Sequence, residues 1–298
     1  MKKTIQLTLF LTFSFLCLKA QTRLLNDPDS VHFITSDIDN FWKAFDHFKR
    51  DTTTNPFGPE YIDIGSKGVK GFIHRRIQSA DHLLAVVKKH RADYEKVRSG
   101  TLLISQKGKQ CRSTFYALKY LYPQAKFPDV YFLIGAYNTG GTEGDDGLYI
   151  GSEIYPDVNS IPVIVAHELI HYQQVFPFDK PTLLQQSILE GSADFLGEMI
   201  SGAHINNVAH KYGQEHFDAL CREFVARMNN TDFNDWLYGT SKKDDRPNDL
   251  AYWMGYEIVA DYYAKAKDKK QAIVDILHIK DYNAFLKQSG YLDNYLTR

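Results

Sequence analysis

The chain has 298 residues, of which 44% are hydrophobic and 14% aromatic, enough to bury a core in one large domain or two small ones. That composition rules out a disordered chain. Lys and Arg number 35 against 36 Asp and Glu, a net charge of −1 with no basic stripe, which argues against nucleic acid as a partner.

The N-terminus reads as a secretory signal peptide over residues 1–20: Lys2 and Lys3, an apolar stretch from Ile5 to Leu18, then Lys19-Ala20. Cleavage after Ala20 removes three lysines and no acid, leaving a mildly acidic chain of 21–298 expected to form one domain. Leu16 is too bulky for a good lipid-attachment box before Cys17, so a lipid anchor there is disfavoured. The expected location is periplasmic, secreted or associated with the outer envelope. No later run is long and apolar enough to cross a bilayer. Cys111 and Cys221 remain, allowing at most one internal disulfide; two buried free thiols fit equally well.

Ser36 is expected to start a helix, with Asp39 completing a capping-box-like start and Ile38, Phe41, Trp42, Phe45 and Phe48 on one apolar face. Residues 51–71, rich in Thr, Pro and Gly, read as a loop. Residues 79–98 read as one charged amphipathic helix with His82 and His90 at its surface, and about 110–121 as another. Asp129 to Ile134 reads as a strand, and Gly135 to Gly147 as a loop by composition, with Asp145-Asp146 a turn rather than a calcium site. Gly147 to Tyr155 alternates like a strand and is expected to line a cleft; its Glu153 is a candidate for recognising a substrate amine. The C-terminal third reads as helices over about 206–228, 249–266, 269–278 and 281–289.

Between these parts lies His167-Glu168-Leu169-Ile170-His171. Two histidines four apart on a helix present both imidazoles on one face, where they can share a tetrahedral Zn²⁺ with the intervening Glu beside the activated water. The apolar run Ile161–Ala166, with Asn159 or Ser160 as a cap and Pro162 in the first turn, makes this a largely buried helix. A second helical pattern follows Pro181 and stops at Gly202. It carries Glu190 and Asp194 one turn apart, with small Gly191 and Ala193 suited to close helix packing. Asp194 is placed to receive the other ring N–H of a ligating histidine. Glu198, a turn further, reads as structural or exposed. Tyr252 and Tyr256 share a face around Gly255 and are either oxyanion donors or amphipathic core residues.

His167-Glu168-x-x-His171 with Glu190-x-x-x-Asp194 resembles the gluzincin pattern of thermolysin-like metallopeptidases. Together with Tyr252-Trp-Met-Gly-Tyr256 and Gln288-Ser-Gly-Tyr291, it also resembles a family of zinc-dependent proteases defined only by sequence and, more distantly, a gliding-motility lipoprotein family. The resemblance implies His167, His171 and Glu190 as zinc ligands, Glu168 as general base and Asp194 as the carboxylate that orients a ligand histidine. It also implies an α+β, mostly helical, zincin-like fold with a small mixed sheet packed on the HExxH helix. The function expected is hydrolysis of a peptide or protein substrate with one Zn²⁺ per chain. The alternative is a non-catalytic envelope or motility component with a structural zinc. Three ligands without Cys favour an open site, and a structural site has no use for Glu168.

Overall fold

Aromatic spacing organises the N-terminal part of this computed structural model, which describes residues 26–239 and 245–296. The signal-peptide reading of residues 1–20, and Cys17 with it, lies outside those residues. After a two-residue strand β1 (Phe33–Ile34), helix α1 (Ser36–Arg50) buries the expected face of Ile38, Phe41, Trp42, Phe45 and Phe48. Its expected cap is absent. Asp39 is exposed, and the acid that matters is buried Asp37, which accepts hydrogen bonds from the Ser66 backbone and hydroxyl.

Residues 51–71 are not simply a loop. They contain a wide helical turn (Gly58–Ile62) and run into a short helix α2 (Lys67–Phe72). Phe57, Tyr61, Val69 and Phe72 anchor the segment in the core, a signal diluted by the surrounding Thr, Pro and Gly. The single helix expected over 79–98 breaks at His90 (φ −113°, ψ 24°) into α3 (Ala80–Lys89) and α4 (Arg91–Leu102). Next come α5 (Gly108–Leu121) and three more strands: β2 (Val130–Leu133), β3 (Gly141–Gly144) and β4 (Gly147–Gly151).

The sheet runs β1-β2-β4-β3, with β1, β2 and β4 parallel and β3 antiparallel to β4. Two expectations change here. The strand expected over 147–155 is interior and ends at Gly151, followed by a tight turn over Ser152–Ile154. The strand at the edge beside β4 is β3, inside the segment whose composition reads as a loop, while Asp145-Asp146 form the turn between β3 and β4.

The metal-motif helix α6 (Ile161–Gln173) packs against β3, β4 and α5 on one side and α7 (Leu183–Ser201) on the other. It is apolar on several faces, as a helix enclosed on all sides must be. Helix α7 starts at a capping box made by Thr182 and Gln185, and ends at Gly202 in the left-handed region (φ 86°). The remainder is α8 (Asn207–Glu215), α9 (Phe217–Arg227), α10 (Leu250–Lys265), α11 (Lys269–Leu277), α12 (Tyr282–Ser289) and α13 (Asp293–Leu296). The helix expected over 206–228 is thus broken at His216. Cys111 and Cys221 are both buried and unpaired. The fold is α+β and mostly helical, with one contiguous apolar core reaching from Val31 to Leu292.

Candidate metal centre

Three helices place the site. Helix α6 presents His167 and His171 one turn apart, and α7 crosses it with Glu190 and Asp194. The α7 backbone comes close at Gly197, where a Cβ would lie 3.3 Å from the His167 nitrogen. Helix α10 sits on α7 with backbones in direct contact: a Cβ on Gly191 would fall 2.1 Å from the Gly255 carbonyl carbon, and one on Gly255 only 1.7 Å from the Ser187 carbonyl oxygen. The small residues at 191 and 255 therefore do what their sequence positions suggested.

His171 Nε2 lies 3.0 Å from His167 Nε2 and 3.1 Å from Glu190 Oε2, and His167 Nε2 lies 3.6 Å from Glu190 Oε2. Ligand atoms about 2.05 Å from a tetrahedral metal stand roughly 3.3 Å apart, so this triangle has the size of one face of a zinc coordination sphere.

The hydrogen bonds behind the triangle fix which atoms face it. His167 Nδ1 donates to Asp194 Oδ1 at 2.8 Å. His171 Nδ1 donates to Gln174 Oε1 at 2.7 Å, while Gln174 Nε2 donates to the Leu189 carbonyl at 3.0 Å and so sets the orientation of that amide. In neutral imidazoles both Nε2 atoms then carry lone pairs that converge on a carboxylate oxygen. Three electron-rich atoms in a buried space call for positive charge between them, and the residues fit a divalent cation. Electrostatics agree. Burial disfavours charge on His167, yet its hydrogen bonds to Asp194 and Glu190 hold it well above the usual imidazole range. His171 is raised by Glu190 against the same burial. Glu190 lies well below the usual carboxylate range because the two histidines outweigh its burial.

The triangle opens on a cleft of about 980 Å³, lined also by Glu168, Tyr155, Tyr252, Tyr238 and the β3 residues Gly141, Thr142 and Glu143. Glu168 is 5% exposed, its carboxyl is raised by burial, and it makes no hydrogen bond to any described residue.

A family model described as "Predicted Zn-dependent protease (DUF2268)" matches residues 134–282, half of the chain. The chain belongs to that family. No curated protein and no solved structure matches it. The span shared with the Zn-dependent protease family runs from the end of β2 into α12 and contains every site residue named above; α1 to α5 lie before it.

The two tyrosines expected together are separated. Tyr252 lines the cleft with its ring stacked on His167 (centroids 6.0 Å, 21°). Tyr256 does not reach the cleft: its hydroxyl donates to Glu198 at 2.7 Å, which also gives Glu198 a structural partner. Glu153 is likewise withdrawn. It is 1% exposed and accepts the Gly135 and Tyr137 backbone N–H groups, so it pins a loop rather than meeting a ligand. The cleft edge expected from 147–155 is supplied mainly by β3, with Ile154 and Tyr155 beyond β4.

Several contributors escaped the sequence reading. Gln186, one turn before Glu190, donates to Glu190 Oε1 at 3.1 Å, and the Tyr238 hydroxyl donates to the same oxygen at 3.2 Å. Asn206 donates to Asp194 Oδ2 at 2.5 Å. Helical spacing was a usable signal for Gln174 and Gln186. Tyr238 and Asn206 come from irregular segments that carry no such signal.

Proposed function

We propose that this protein is an exported zinc-dependent metallopeptidase with His167, His171 and Glu190 as metal ligands. The observation that carries the reading is the buried triangle of lone-pair atoms opening on a cleft that also holds the unpartnered carboxylate of Glu168. Bound zinc would supply a Lewis acid that acidifies water and polarises a carbonyl. Glu168 removes the proton as water attacks, its raised affinity for protons suiting it to that task, and then delivers the proton to the departing amine. Asp194 holds His167 in the tautomer that leaves Nε2 free, and Gln174 does the same for His171. Tyr252, which lines the cleft with its ring nearly parallel to His167, would share the charge that develops on the carbonyl oxygen.

A peptide substrate is favoured by β3. Among the described residues it pairs with β4 alone, and its residues line the cleft, so an extended chain can add to its other edge through backbone hydrogen bonds. Export rests on the pattern of residues 1–20. The test is zinc content and casein hydrolysis measured on the wild type, Glu168→Gln and Glu190→Ala. Glu168→Gln should keep its zinc and lose roughly 10²- to 10⁴-fold in turnover. Glu190→Ala should lose zinc. Unchanged turnover in Glu168→Gln would sink the reading.

A further inference from the structure

Asp194, the partner of His167, also belongs to a second convergence of ligand atoms. Asp194, His204 and His210 each offer one within 4.8 Å of the others. His204 lies in the link between α7 and α8, and His210 in the first turns of α8. Their rings are 4.1 Å apart between centroids, tilted by 37°. Among the described residues no partner meets His204 Nδ1 or His210 Nε2, although both atoms are buried and His210 is only 8% exposed. A buried nitrogen left without a partner loses its hydration with nothing in return, and two beside one carboxylate require an explanation.

We propose that Asp194, His204 and His210 form a second cation site that shares Asp194 with the site in the cleft. Two imidazoles and one carboxylate are the donor set of a borderline divalent cation such as zinc, whereas magnesium and calcium take oxygen ligands. Asp194 can serve both sites because each carboxylate oxygen has two lone pairs: Oδ1 accepts from His167 Nδ1, Oδ2 accepts from Asn206 Nδ2, and capacity for a cation remains. Tyr256 packs against both imidazoles, its ring set edge-on to His210 at 4.7 Å and 5.8 Å from that of His204 between centroids. This accounts for a tyrosine that does not reach the cleft.

Sharing also couples the sites, a consequence that rests on the proposed zinc at His167. A cation on Asp194 draws charge from the carboxylate that supports His167. Filling either site therefore weakens the other, and by linkage the effect is reciprocal.

The experiment counts zinc by equilibrium dialysis of the purified protein over a range of free Zn²⁺, with Mg²⁺ as the hard-cation control. The variants are His210→Ala, His204→Gln, His171→Ala and the double variant His171→Ala/His210→Ala, with folding followed by circular dichroism. His210→Ala and His171→Ala should each bind one ion fewer than wild type, and the double variant should lose both; Mg²⁺ should displace neither. Should His210→Ala fail to fold, His204→Gln on the partly exposed link carries the same expectation. If a folded His210→Ala or His204→Gln binds as many zinc ions as wild type, the second site does not exist and the orphaned nitrogens are met by water. If zinc is lost with His210 but not with His171, the second site stands and the proposed catalytic centre falls.

Discussion

The wall of the cleft and its rim are built differently. The wall is three helices: α7 meets α10 backbone to backbone at Gly191 and Gly255 and approaches α6 at Gly197, and each histidine of the triangle is held from behind by a side chain of the same helices or their ends. The rim is β3, the stretch before it and the segment around Tyr238. There the backbone enters the left-handed region at Tyr137 (φ 54°), Tyr238 (φ 59°) and Asp249 (φ 64°), a conformation that costs a non-glycine residue about 1 kcal/mol. The wall can hold ligand atoms to within tenths of an ångström, as a metal requires. The rim hangs on the short β3–β4 ladder and on a few side-chain hydrogen bonds at Glu153 and Tyr238, and is the part able to adapt to a substrate. Changes in the wall, and in the buried Glu153 that anchors the rim from behind, should therefore appear as altered stability, and changes in the rim's cleft-lining residues as altered turnover in a folded protein.

The harshest test of the wall is Gly255→Val. No side-chain rearrangement relieves a Cβ placed 1.7 Å from the backbone oxygen of Ser187, so α7 and α10 must separate. The expected loss exceeds about 4 kcal/mol and leaves little folded protein. Chemical denaturation with a midpoint near that of wild type would show that the helices are not locked together.

Glu153, at the root of the rim, should give the next largest effect. Burial pushes its carboxyl up to about 7, against the opposing hydrogen bonds from the Gly135 and Tyr137 nitrogens. A carboxyl with a folded pKa above its unfolded value takes up a proton on folding. Its contribution is therefore fully present below the unfolded value of about 4.5 and is lost as pH rises to about 7. The span amounts to something on the order of 3 kcal/mol. Glu153→Gln cannot ionise, so its stability relative to wild type should rise through that window and level off above it. Melting temperatures of both proteins across that pH range would show this, and parallel curves would mean the carboxyl does not titrate there.

The contrast between wall and rim also governs what the amino-acid sequence discloses. His167, His171, Glu190 and Asp194 were legible because helical periodicity converts spacing into direction: residues four apart must share a face. The stripe in α1 and the small residues at 191 and 255 were legible for the same reason. The rim was not. Gly141 to Gly144 pairs as a strand only because β4 lies beside it, and its Gly-Thr-Glu-Gly composition alone reads as a loop. Tyr238 reaches Glu190 across 48 residues from a turn, which no local pattern announces. Tyr252 and Tyr256 share a helix face in sequence, but α10 lies obliquely enough to put one in the cleft and the other against Glu198.

Gly141→Ala is the mildest change and separates the two regions most cleanly. The backbone at Gly141 lies outside the left-handed region, so alanine is tolerated in β3. Its Cβ would nevertheless fall 2.3 Å from Glu168 Oε1 and within 2.6 Å of the next two atoms of that side chain. A flexible carboxylate moves more easily than a strand, so Glu168 should give way. Turnover should fall roughly tenfold, about 1.4 kcal/mol in the barrier, with zinc content and melting temperature close to wild type. Loss of zinc would mean that the rim helps to hold the ligand triangle and that the division between wall and rim is wrong. Unchanged turnover in a zinc-loaded protein would mean that Glu168 is not held in position by β3, leaving the rim no part in placing the base.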